Sequence, residues 1–184
     1  MVDTETRPGR ARQADILAAA EREFAMLGWS GARVERIARE ARVNKQLLFH
    51  YYDSKSGLYE AALRSLLRRF EAPSDPVASL VDEVRRVMRT VEAAARGIPG
   101  VLFQVPANGD DVPSSAAATV RAWRERQRAR LAEAVTEGQR RGYFRDDLDP
   151  GVAAEVGLAM AFGFGALGGK AEAASWMVDY CAWR

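Results

Sequence analysis

Lys45, Gln46, His50 and Tyr51 lie close together in the run NKQLLFHYY, and each carries a group that can read a nucleic acid. A Gln amide can make a bidentate contact to adenine. A Lys ammonium can reach guanine or phosphate, and the apolar Leu47 can meet a thymine methyl. Asn44 stands where its side-chain oxygen can cap the helix carrying these residues. Together with Arg33 and Lys55 it is also a candidate for phosphate contacts. Lys55 opens a helix, where a cation opposes the macrodipole. That placement makes sense if Lys55 and the helix N-terminus both face a phosphate. The plainer reading is a solvated helix face with a structural histidine, so the order of the surrounding elements has to decide.

Other chemistries find little support. His50 and Cys181 are single, so a zinc site, a Cys/His pair and an intrachain disulfide all lack partners. Gly163-Phe-Gly165-Ala-Leu-Gly168 spells a dinucleotide fingerprint, but no strand precedes it and it ends a helix. Its glycines fit close helix packing and a helix stop better. Asp146-Asp147-Leu148-Asp149 lacks the other ligands of a calcium loop, and no serine sits in a nucleophile elbow. The expectation is therefore no catalytic residue, no metal, no cofactor and no enzyme.

The charge balance neither demands nor excludes a polyanion: 27 basic side chains stand against 25 acidic ones. The small excess is N-terminal, with 13 basic and 10 acidic residues in 1–72 and 14 and 15 in the rest. No apolar run approaches the ~18 residues of a membrane span. The N-terminus has no apolar core of a signal peptide and reads as a loose arm over 1–10. A lone cysteine fits a reducing compartment, so the expected location is cytoplasmic.

Apolar residues at three- and four-residue steps predict helices almost throughout. Ala11–Leu27 carries Ile16, Leu17, Ala20, Phe24 and Leu27 on one face and ends at Gly28. Val34–Ala41 turns Ile37, Ala38 and Ala41 inward. After the Arg42-Val43 connection, Asn44 caps a helix to about Tyr51. Asp53 or Ser54 caps the next, to about Phe70. Pro73 and Pro76 then break the pattern. Beyond them come Val77–Arg96, a short buried helix at Val101–Val105, Ser115–Arg141, a helix to Leu167 opened by Asp149-Pro150, and Ala171–Arg184. The chain reads as all-α: an N-terminal three-helix helix-turn-helix module over 11–54, a bridging helix over 55–71, and a C-terminal helical bundle over 72–184.

Ile16-Leu17 with Ala20 and Phe24, then Gly28, Ile37-Ala38, Ala41, Val43, Lys45, Leu48-Phe49-His50-Tyr51-Tyr52, and Ser54-Lys55 with Leu58 closely resemble the DNA-binding domain of the tetracycline-repressor (TetR) family, over about residues 12–63. The resemblance implies a homodimer with one recognition helix per subunit. It also implies a palindromic operator in double-stranded DNA, and repression relieved by a small molecule. Four departures stand out. Arg33-Val34 replaces the Thr common before the second helix, and Arg42 occupies a usual Gly, where φ > 0 is expected. Gln46 and Leu47 replace small residues, and Phe49 replaces a Tyr.

The C-terminal bundle has two expected tasks. Trp176, Met177, Tyr180 and Trp183 on the last helix, with the Ala- and Gly-rich helix before it, suit pairing across a two-fold axis. They suit the domain's own core as well. Met88, Phe103, Trp123, Met160 and Phe164 come from different helices and could line one cavity for a small apolar or aromatic effector; plain core is again the alternative. In the family the segment matching Val101–Val105 links pocket to DNA-binding domain, so an effector would tilt the bridging helix and respace the recognition helices. Two rivals remain: an all-α interaction or ligand-binding protein whose helix-turn-helix no longer binds DNA, and an enzyme built in the bundle.

Overall fold

The computed structural model describes residues 7–71, 79–97, 112–167 and 173–182. Among these, eight helices form and no strand: α1 (Arg7–Gly31), α2 (Val34–Glu40), α3 (Lys45–Tyr52), α4 (Lys55–Arg69), α5 (Leu80–Gly97), α6 (Ser114–Arg140), α7 (Pro150–Ala166) and α8 (Ala173–Cys181). The all-α expectation holds, with boundaries shifted by a few residues. Helix α1 begins at Arg7, so residues 7–10, expected in the arm, are helical. Val101–Val105 with Phe103, and also Trp183, lie outside the described residues.

The chain forms two compact units, residues 1–69 with 98–120 and residues 70–97 with 121–184. In the first, Ile16, Phe24, Ile37, Leu48, Leu58 and Tyr59 are fully buried and bring α1 to α4 onto one core. The Tyr59 ring meets Phe24 edge-on, with 4.7 Å between centroids. Gly28, expected to end the first helix, kinks it instead: its φ is 64°, and helical hydrogen bonding continues to Gly31.

The second unit packs α5 tightly on α7. A Cβ at Gly165 would sit 2.5 Å from the Ala95 Cβ and 2.7 Å from the Glu92 carbonyl oxygen. Helix α7 starts as its sequence directs: Asp149 accepts from the Val152 N–H at 2.8 Å, with Pro150 in the first turn. Phe144 is buried beside Gly138. The Arg145 N–H donates to the Cys181 carbonyl at 3.0 Å, tying the turn after α6 to the end of α8. Among the described residues, no helix is long and apolar enough to cross a membrane.

Candidate nucleic-acid interface

Helix α3 is two-sided. Leu48 and Tyr52 are buried against the module core, while Lys45, Gln46 and His50 are exposed and Leu47 and Tyr51 half-buried. The Tyr52 hydroxyl donates to the Gln13 carbonyl at 3.1 Å, pinning the far end of α3 to α1. Asn44 is extended and caps the near end, accepting from the Leu47 N–H at 2.7 Å. With both ends fixed, α3 is a short rigid rod whose polar face points away from the core. The rings of His50 and Tyr51 stand edge to face on that side, 5.5 Å apart.

The turn before α3 is built around Arg42, with φ 55° as its place in the pattern foretold. The Arg42 N–H donates to the Arg39 carbonyl at 3.1 Å, and the Val43 N–H to the Ala38 carbonyl at 2.9 Å. This is a Schellman closure with Arg where Gly is usual. Behind it, α2 starts without a side-chain cap at Arg33. Glu23 of α1 supplies an acceptor instead. It takes the Arg33 backbone N–H at 2.9 Å and the Arg36 Nε–H at 2.7 Å. The Arg33 side chain is left exposed.

The two lysines have protein partners. The Lys45 ammonium donates to Glu35 at 2.6 Å across the helix pair, and lies 5.7 Å from the Phe49 ring centroid. That hydrogen bond holds the Glu35 carboxyl below its ordinary range. Both side chains are exposed, so the pair is weak and exchangeable with water or phosphate. Lys55 is more committed. It donates to the Trp29 carbonyl at 2.7 Å and sits over the Trp29 ring, 4.4 Å from its centroid. Burial, and then the nearby charge of Arg33, push its pKa down. Arg33 and Lys55 are thus two neighbouring cations, offset in part by the Glu23 and Glu35 carboxylates beside the start of α2.

Of the residues named from sequence, Arg33, Asn44, Lys45, Gln46, Leu47, His50, Tyr51 and Lys55 all fall on or beside the α2–α3–α4 surface of the first unit. Sequence reading missed Glu35 and Glu23. Both are acidic residues whose partners lie ten or more positions away, and no local periodicity marks such a pair. In the second unit Met88 and Trp123 are fully buried, and Met160 and Phe164 half-buried. The Trp123 ring meets Phe162, a residue outside the expected set, edge-on at 6.4 Å.

The sequence profile of bacterial regulatory proteins of the tetR family matches residues 16–62. The chain is 34% identical over 142 residues to the HTH-type transcriptional repressor SCO4008 of Streptomyces coelicolor, covering 76% of this chain and 71% of that protein. Among solved structures, a TetR-like transcriptional regulator from Rhodococcus sp. RHA1 matches with a TM-score of 0.71 at 22% identity, over 92% of each chain. AibR, solved in complex with isovaleryl coenzyme A and operator DNA, matches with a TM-score of 0.66 at 21% identity, over 91% of this chain and 94% of its own. The structural likenesses carry the fold, and the sequence matches carry the kinship. The chain belongs to the tetR family of bacterial regulatory proteins.

Proposed function

We propose that the chain is a transcriptional repressor that holds a palindromic operator as a homodimer and releases it when a small molecule enters the helical bundle of residues 72–184. In this reading residues 11–54 dock on DNA in the cytoplasm and residues 55–71 bridge to the bundle. The observation that carries it is the rod at α3, with Lys45, Gln46 and His50 exposed over a buried Leu48 and Tyr52. A helix fixed at both ends with exposed polar groups on one side is what a major groove requires. Gln46, Lys45, Leu47, His50 and Tyr51 then meet base edges and flanking phosphates. Arg33, Asn44 and Lys55 meet phosphates only. SCO4008 is a repressor by name. AibR carries a small molecule and operator DNA on this same fold. The AibR complex supports coupling of the two ligands.

Dimerisation rests on α7. Val152, Val156 and Leu167 are exposed at 57%, 36% and 86%. With Ala159 and Gly163 they form a stripe at three- and four-residue steps. Trp176 of α8, 51% exposed, stacks on Tyr180. Exposed apolar surface of this extent suits a second copy of the chain.

The test is fluorescence anisotropy on duplexes taken from DNA flanking the protein's own gene, across a salt series. Gln46→Ala is expected to flatten the preference between operator and scrambled duplex. Lys55→Ala is expected to weaken both alike and to reduce the log–log salt slope by about 1. If Lys55→Ala altered preference and spared affinity, the assigned division of labour would be wrong. A second reading, a helix-turn-helix that has left DNA, is favoured by the internal partners of Lys45 and Lys55. Absence of binding to every duplex offered would establish it.

A further inference from the structure

Two polar side chains on α6 are shut away from water without a partner. Trp123 is 0% exposed and Gln127 is 2% exposed. Among the described residues neither the Trp123 Nε1 nor the Gln127 Oε1 has a hydrogen-bond partner. Interiors seldom leave such groups unmade, because each loses its water and gains nothing in return. The two residues are four apart, so they share one helix face, separated by about 6 Å along the axis. Two lone buried atoms on one face, an N–H that needs an acceptor and a carbonyl that needs a donor, mark a place completed by something else.

A groove runs beside that place, with Phe162 between the two. The groove, of about 420 Å³, is lined by Arg121, Arg124 and Arg128 of α6 and by Glu155, Leu158 and Phe162 of α7. Phe162 is half-buried and meets the Trp123 ring edge-on, with 6.4 Å between centroids. The Arg124 guanidinium lies over the same Phe162 ring at 5.4 Å. One aromatic side chain thus both walls the groove and touches the indole.

Resting on the effector-responsive reading above, we infer that Trp123 and Gln127 form the polar end of the effector site. It is entered from the α6–α7 groove past Phe162 and takes a neutral molecule bearing a carbonyl or carboxamide on an aromatic or aliphatic body. One amide answers both atoms: its C=O accepts from the Trp123 indole and its N–H donates to Gln127. A purely apolar effector, one of the two kinds the sequence suggested beside an aromatic one, leaves both unmade, and sites built for hydrogen bonds reject such analogues strongly. A carboxylate has no donor to offer the Gln127 carbonyl, so it would leave that atom unmade.

The experiment uses the full chain with 15N-labelled tryptophan, the Trp123 indole resonance being assigned by its loss in Trp123→Phe. Benzamide and cyclohexanecarboxamide are titrated against isopropylbenzene, a hydrocarbon of similar shape. Both amides are expected to move the Trp123 indole resonance and to bind at least about 100-fold more tightly than the hydrocarbon. Gln127→Met, with Gln127→Leu as a second variant should the first fold poorly, is expected to melt no lower than the parent without ligand. It is also expected to lose the preference for the amides. The inference is overturned if no amide moves that resonance, if amide and hydrocarbon bind alike, or if Gln127→Met keeps the preference. A fall in melting temperature of Gln127→Met with no probe discriminated would mean an ordered water only, and overturns it too. Operator binding by the parent chain is scored separately. Its absence would refute the regulatory reading while leaving the indole result to judge the site.

Discussion

Arg42 follows α2 at the position where a Schellman closure turns the chain left-handed, and it holds φ 55° there. A side chain with a Cβ costs about 1 kcal/mol in that region, and glycine avoids the clash. The Arg42 side chain is exposed, so little packing is lost on removing it. Arg42→Gly is therefore expected to stabilise the protein by about 1 kcal/mol and to raise the melting temperature by roughly 3 °C. Urea denaturation with unchanged m-value would measure it; an unchanged or lower midpoint would show that Arg42 makes a compensating contact. Arg42, Asn44 and Asp149 could all be read from sequence because a cap or a closure is decided within four or five residues. The Lys45–Glu35 and Lys55–Trp29 contacts could not. They join elements whose mutual placement is set by the core, which the local pattern does not encode. The same holds for Gln127, which reads as one polar residue among many on α6 and becomes informative only once its burial is known.

At the scale of elements, spacing of apolar residues located the helices and glycines marked where two of them touch. Helix α7 is apolar all round, so its periodicity could not say which face meets α5; Gly165 does. Its missing side chain lets the α7 backbone approach the α5 backbone at Glu92 and the Ala95 methyl. The approach is to backbone, which cannot rotate away. Gly165→Ala is expected to force α5 and α7 apart and to destabilise the fold by about 2 kcal/mol, within the usual range for overpacking. Chemical denaturation checks the magnitude, and near-UV circular dichroism checks the loosened aromatic packing. A neutral or stabilising result, as helix propensity alone favours for Gly→Ala, would mean that the two helices are further apart than the structure shows. The three glycines of the Gly163–Gly168 run thus divide. Gly165 serves the core and Gly163 faces open space, while Gly168 lies outside the described residues. No nucleotide is needed to explain the first two.

At the scale of the whole molecule, Gly163 supplies the sharpest test of self-association. Among the described residues nothing lies within 4 Å of where a Cβ would stand, so no packing among them requires glycine there. It sits on the α7 stripe with the exposed Val152, Val156 and Leu167. Small residues in such a stripe let a second helix come close, and a bulky charge there would meet a copy of itself across the two-fold axis. Gly163→Glu is thus expected to leave helical content intact and to convert a dimer into a monomer by sedimentation velocity. A palindromic operator needs two recognition helices held together, because the second half-site is bound at the effective concentration set by the first. The monomer should therefore lose at least about 100-fold in operator affinity. Its salt slope should fall to roughly half the parental value, since half the phosphates are neutralised. Loss of affinity with the slope unchanged would point to misfolding of the DNA-binding module. A variant that still sediments as a dimer would place the interface elsewhere than on α7. A monomer that keeps parental affinity would show that one recognition helix suffices and would end the palindromic reading.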